Sequence, residues 1–211
     1  MDLTFAIKTF SALFAITNPI ASLTMFLSLT GGMTQDEQRR TAILVTITVA
    51  IGSLISAAAG TAILGFFGLD INHFRLAGGL IVLLIALDML NGDDSPTRAG
   101  SDQEQKTYKS ASNVAFYPLS IPLLLGPGTI SALVVFSHEA QAGGKIVAFS
   151  AGLIAVILLI GGLLLTGPFI ARIASPTVLS VTKRLMGMIL AAIAMEMLVG
   201  SLTALFPGWA G

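Results

Sequence analysis

No cysteine occurs anywhere in the 211 residues, so neither a disulfide framework nor a thiolate metal site can be built from this chain. Histidine is nearly as scarce: His73 and His138 are the two copies, too far apart to form a ligand motif. Charge is also sparse, at 10% of residues, with 11 basic and 11 acidic side chains cancelling to zero. Without a global basic field there is nothing to collect nucleic acid. No P-loop is present, and the one glycine-proline-glycine run follows no strand, so nucleotide-driven chemistry has no carrier.

What fills the chain instead is apolar. The hydrophobic fraction is 55%, and the mean hydropathy of +0.89 is far above that of a water-soluble domain. The start, Met1-Asp2-Leu3-Thr4, lacks the basic opening of a signal peptide, so the first apolar segment is expected to be retained.

Charges divide the chain into stretches long enough to cross a bilayer, for which about 20 apolar residues suffice. Four stretches contain no Asp, Glu, Lys or Arg: between Lys8 and Asp36, Arg40 and Asp70, Lys109 and Glu139, and Lys145 and Arg172. These predict spans one, two, four and five. Span three, from about Phe74 to Leu90, holds Asp88, and span six, from about Leu185 to Phe206, holds Glu196. Lipid offers no partner for backbone groups, and long Leu-, Ala- and Gly-rich runs satisfy them as helices. The predicted fold class is all-α, a polytopic membrane protein of six transmembrane helices. Residues 93–112 are polar and have the composition of a solvated linker between two halves, 1–92 and 113–211.

Alternate sides of this arrangement differ in basic residues. Arg39, Arg40, Arg98, Lys106, Lys109, Arg172, Lys183 and Arg184 fall on one side, and Lys8, Arg75 and Lys145 on the other. Positively charged loops stay cytoplasmic, which predicts a cytoplasmic linker and both termini outside.

The halves repeat each other. Span three reads Arg75-Leu76-Ala77-Gly78 and then Asp88-Met89-Leu90-Asn91-Gly92; span six reads Arg184-Leu185-Met186-Gly187 and then Glu196-Met197-Leu198-Val199-Gly200. The first helix of each half carries a proline within its apolar stretch, in Thr17-Asn18-Pro19 and in Gly126-Pro127-Gly128-Thr129. From Pro19 to Asp88 is 69 residues, and from Pro127 to Glu196 is again 69. Because each half has an odd number of spans, the second is inverted, the plan of many secondary transporters.

A proline inside a helix removes one N–H and clashes with the carbonyl four residues back. Asn18 is able to cap the half-helix that begins at Pro19, and Gly126 stands in the matching position before Pro127. The free amides of the new helix starts would belong to Ile20, Ala21 and Ser22 in one half and to Gly128, Thr129 and Ile130 in the other. Such ends carry partial positive charge and suit an anion such as a carboxylate. Two readings stand at this point: each proline kinks a helix for packing, or Thr17, Asn18, Pro19, Ile20, Ala21, Gly126, Pro127, Gly128 and Thr129 form a substrate site. Glu196, 12 residues or about 18 Å beyond Arg184, falls near the midplane. It is either a proton or cation coupling site or a protonated acid in a structural hydrogen bond. Arg75 and Arg184 read as helix-end residues that snorkel to headgroups. Gly52, Ser56 and Gly60, with Ser53, Ala57, Thr61 and Gly65, make two small-residue ridges on span two for close packing.

Asn18-Pro19-Ile20, Phe74-Arg75-Leu76-Ala77-Gly78-Gly79, Pro118-Leu119-Ser120-Ile121-Pro122, Gly126-Pro127-Gly128-Thr129-Ile130 and Arg184-Leu185-Met186-Gly187 also carry a resemblance. Over nearly its whole length the chain resembles the MarC/SnatA-type integral membrane proteins. It departs from that pattern at Ala21, where many members have Gly, and at Asp88. The resemblance implies a bacterial or archaeal cytoplasmic (inner) membrane and transport of small neutral amino acids such as glycine, alanine or serine, with a proton or sodium ion as coupling ion and no other cofactor. The rival readings are a non-transporting membrane partner, an exporter of another small solute, and an intramembrane enzyme. The last lacks a nucleophile paired with a base, so no enzymatic activity is expected.

Overall fold

The computed structural model describes residues 2–91, 114–170 and 176–209, which are helical with no strand among them. The linker predicted over 93–112 lies outside these residues. Helix α1 (Leu3–Thr17) starts at Asp2, whose carboxylate accepts the Phe5 amide at 3.0 Å. It ends at Asn18, and α2 (Pro19–Thr30) follows at once, bent by 43°. Helix α3 (Gln35–Phe66) opens with a capping box in which the Thr34 amide donates to Glu37 Oε2 at 2.8 Å and the Glu37 amide to Thr34 Oγ1. Gly68, at φ 67°, turns the chain into α4 (Ile71–Asn91).

The second half is less regular at its start. Residues Ala115–Leu124 wind in wide turns interrupted by extended backbone at Tyr117 and Ile121. Each of these precedes a proline, Pro118 or Pro122, whose ring drives the preceding residue out of the helical region. After Leu125 and Gly126 come α5 (Pro127–Ala142), α6 (Ile146–Ile170), α7 (Pro176–Leu205) and a short turn, Pro207–Trp209.

Among the described residues four single helices are long and apolar enough to cross a membrane: α3, α4, Ile146–Gly167 of α6 and Arg184–Leu205 of α7. The bent pair α1 and α2 makes a fifth. The fourth predicted span does not form one continuous helix, because the prolines at 118, 122 and 127 divide it and leave α5 only 16 residues long.

Polarity is arranged opposite to that of a soluble protein. Ile43, Leu44, Ile47, Ile51, Leu54 and Ile55 of α3 are exposed, while the buried polar residues are uncharged, Thr17, Asn18, Ser53, Thr129 and Ser137 among them. Such an apolar exterior suits acyl chains.

Close approach depends on small residues. The ridge on α3 meets the second half: a side chain at Gly52 would strike Leu125, one at Gly60 would strike Val134, and the Ala57 carbonyl accepts Ser137 Oγ at 2.6 Å. Helices α4 and α7 share the most extensive contact in the bundle. There Gly79 faces Met197 and Leu198, and Gly187 faces Met89 and Leu90. Helix α6 crosses α1 at Gly152, where an added Cβ would lie 2.8 Å from the Ala6 carbonyl oxygen and 3.1 Å from Thr9 Cβ. Backbone cannot yield there as a flexible side chain would. Gly152→Leu is therefore expected to destabilise the fold by about 1–3 kcal/mol or more, measured as a lowered midpoint of thermal unfolding in detergent. An unchanged midpoint would show that the crossing relaxes.

Candidate functional site

Both prolines break their helices and begin a new one, but the residue before the proline is left-handed in the first half and extended in the second (Gly126, φ −75°, ψ 172°). In the first half Asn18 adopts left-handed backbone, φ 43° and ψ 70°, with its amide on the Phe14 carbonyl at 3.1 Å. A left-handed residue ends a helix, and asparagine tolerates that region better than other residues with a side chain. The Ser22 amide then donates to the Asn18 carbonyl at 3.0 Å, the first rung of α2. In the second half the Ile130 amide donates to the Gly126 carbonyl at 3.0 Å, the first rung of α5. Proline occupies the first helical position in each case.

This pairing narrows the set of helix-start donors. Ser22 and Ile130, expected to be free, are the residues whose amides close these rungs. The amides of Ile20 and Ala21, and of Gly128 and Thr129, are left as those with no carbonyl ahead of them in their own helix.

One residue from beside each break lines a common cavity. It lies between α1, α3, α5 and α6 and is lined by Thr17, Ser53 and Thr129, with Leu13, Leu133 and Val156 among the apolar walls. Thr17 Oγ1 is committed to the Leu13 carbonyl at 2.8 Å. The cavity has room for no more than about one water molecule in this conformation.

The other expected residues do not line it. Gly128 is buried, and a Cβ there would meet Val82 at 3.2 Å, Ile85 at 3.3 Å and Ile16 at 3.7 Å, so it is wedged between α4 and the end of α1. Asn18 is 2% exposed and directs Nδ2 toward the Met89 sulfur at 3.9 Å. Pro19 is buried, Ile20 and Gly126 are half-buried, and Pro127 is exposed; Ala21 lies in the first turn of α2. Ser53, read from sequence only as part of a packing ridge, faces the cavity.

Glu196 is not part of this cluster. Its side chain is 61% exposed and accepts from Lys8 Nζ at 2.7 Å, well away from the residues that line the cavity. Arg75 does not extend freely to solvent either: it pairs with Glu139 of α5 and also feels the charge of Glu196. A third pair joins Lys145 Nζ to Asp2 at 2.9 Å, and that hydrogen bond, more than the Phe5 amide, holds the Asp2 carboxyl below its ordinary range.

The model of the MarC family integral membrane proteins matches residues 3–206, nearly the whole chain. The chain belongs to the MarC family. Its relatives include the UPF0056 membrane protein YhcE of Escherichia coli (strain K12), 32% identical over 205 residues that cover 95% of this chain and 93% of the relative. The UPF0056 membrane protein YvbG of Bacillus subtilis (strain 168) is 33% identical, with 98% of each chain covered. An archaeal relative, the UPF0056 membrane protein PH0760 of Pyrococcus horikoshii, is 34% identical over 95% of this chain and 98% of its own. No solved structure gives a significant match. This is thus an integral membrane protein of a family found in bacteria and archaea, with several apolar helices around the two breaks.

Proposed function

We propose that this MarC-family protein is a secondary transporter of small neutral amino acids of the glycine, alanine and serine class, working by alternating access. The observation that carries this reading is the cavity shared by the two helix breaks, with Thr17 on one wall and Thr129 on another. A helix start offers amide donors and partial positive charge to a carboxylate, while hydroxyls and backbone carbonyls near the break suit an ammonium group. The walls, Leu13, Leu133 and Val156, must move apart before any amino acid can enter. Small zwitterions fit that chemistry best. Coupling to a proton or sodium gradient belongs to the same proposal, with Glu196 held in an ion pair rather than at the cavity.

The reading includes six spans in two inverted halves. Its support is a set of contacts that map onto one another when the halves are exchanged. The shift that carries Pro19 to Pro127 also carries Gly79, Met89 and Leu90 to Gly187, Met197 and Leu198, and each glycine packs against the other half's Met-Leu pair. Likewise α1 packs on α6 as the 115–124 segment packs on α3, and α2 on α6 as α5 on α3. Under this arrangement the bias of basic residues places the 93–112 linker in the cytoplasm and both termini outside.

Flux decides the matter. Purified protein in vesicles is expected to release or take up labelled alanine and glycine faster than empty vesicles, with the rate responding to an imposed proton or sodium gradient. Absence of flux for every small amino acid tested, under either gradient, would remove the carrier reading.

A further inference from the structure

Between the cavity and one end of the bundle the structure holds a layered closure. Two stripes lead away from the cavity: Thr17, Leu13, Thr9 and Phe5 at four-residue steps on α1, with Thr9 set where α1 also meets Gly152 of α6, and Thr129, Leu133 and Phe136 on α5. Leu13 and Leu133 form its wall. Beyond them the Phe5 and Phe136 rings meet edge to face at 6.5 Å, both buried. Two ammonium groups clamp these rings, Lys8 Nζ at 5.7 Å from the Phe136 centroid and Lys145 Nζ at 5.5 Å from that of Phe5.

The same two lysines belong to the ion pairs. Lys8–Glu196, Arg75–Glu139 and Asp2–Lys145 each join one half of the chain to the other. All three sit at the end where α1, α4 and α6 begin and α5 and α7 finish. Lys8 is nine residues from Thr17, and Glu139 ten from Thr129, which puts both pairs about 13–15 Å along their helices from the two threonines. Thr9 supplies an independent sign. It is fully buried, yet its hydroxyl has no partner, whereas Thr17, Thr30, Thr41 and Thr46 all donate to the carbonyl four residues back. A buried hydroxyl left unpaired costs free energy that water would return.

We infer that the seam where α1 meets α5 and α6 is the path joining the cavity to this end, and that Phe5, Phe136 and the three inter-half ion pairs are its gate, shut in this conformation. The inference rests on the carrier reading and deepens it. In the proposed orientation the gate is the external one, so opening it separates the halves, breaks the ion pairs and lets water reach Thr9.

The absence of native cysteine makes the test direct. Thr9→Cys is introduced into the full chain, and its reaction with a membrane-impermeant maleimide added outside intact cells is timed. Slow labelling is expected with the gate intact. Adding Phe136→Ala or Lys8→Glu should speed it at least tenfold, and the charge exchange Lys8→Glu with Glu196→Lys should return it to the slow rate. A control, Thr30→Cys, buried at the opposite end, should not respond to any of these changes. Unchanged labelling in both opened variants overturns the gate, as does acceleration that the charge exchange fails to reverse or that Thr30→Cys shares. Because no substrate enters the measurement, lack of amino-acid flux would count against the carrier reading alone. Unaltered labelling in a protein with normal flux would count against the gate alone.

Discussion

Replacing Gly128 by valine is expected to reduce alanine flux by about 5- to 150-fold while the protein still inserts. The position is the second residue of α5, buried against α4 and α1, and a first added carbon would already stand 3.2 Å from Val82 Cγ2 and 3.3 Å from Ile85 Cδ1. Those neighbours must yield by a few tenths of an ångström for alanine and considerably more for the branched valine. Overpacking of this kind costs about 1–3 kcal/mol, and the same free energy placed on one of two alternating conformations shifts their balance by the stated factor. Gly128→Ala should accordingly show a smaller loss. Gly162→Val, on α6 with open space around it, should leave flux and thermal midpoint unchanged. If Gly128→Val transports at the normal rate, the start of α5 neither touches substrate nor moves against α4.

The breaks themselves were legible because proline acts on the backbone directly, whatever the tertiary context. Pro19 and Pro127 each begin a helix, and the span that holds each is divided there. The small residues of α3 announced close packing, and Gly52, Ala57 and Gly60 do meet the second half. What the residues of one segment could not reveal depends on partners distant in the chain. Lys8 reaches Glu196 across 188 residues, so the ion pair that holds this acid could not be read along its own helix from Arg184. Arg75 looked like a lipid-facing end for the same reason, since Glu139 lies on another helix. The irregular first part of the fourth span had a local signal, the residues before Pro118 and Pro122, but a long apolar stretch conceals it when only hydropathy is read. Ser53 was visible as a small residue, and only the packing of four helices turns it toward Thr17 and Thr129.

Asn18→Val is expected to abolish flux and lower the midpoint of thermal unfolding, whereas Asn18→Gly should keep both near normal. The contrast follows from backbone geometry. Asn18 sits at φ 43°, a region that costs an ordinary L-residue about 1–2 kcal/mol and is a marked outlier for a β-branched one. Valine there would push the chain back toward negative φ, and with it the direction in which α2 leaves the break. The 43° bend would change, and with it the course of α2 from Pro19 onward. Glycine adopts positive φ freely, at a cost in chain entropy of about 0.4–1 kcal/mol, so it preserves the break while deleting the side-chain amide. Should Asn18→Gly retain its thermal midpoint yet lose flux tenfold or more, the binding function would belong to the carboxamide itself rather than to the interrupted backbone. The helix-start account of substrate recognition would then have to be given up at this end of the cavity.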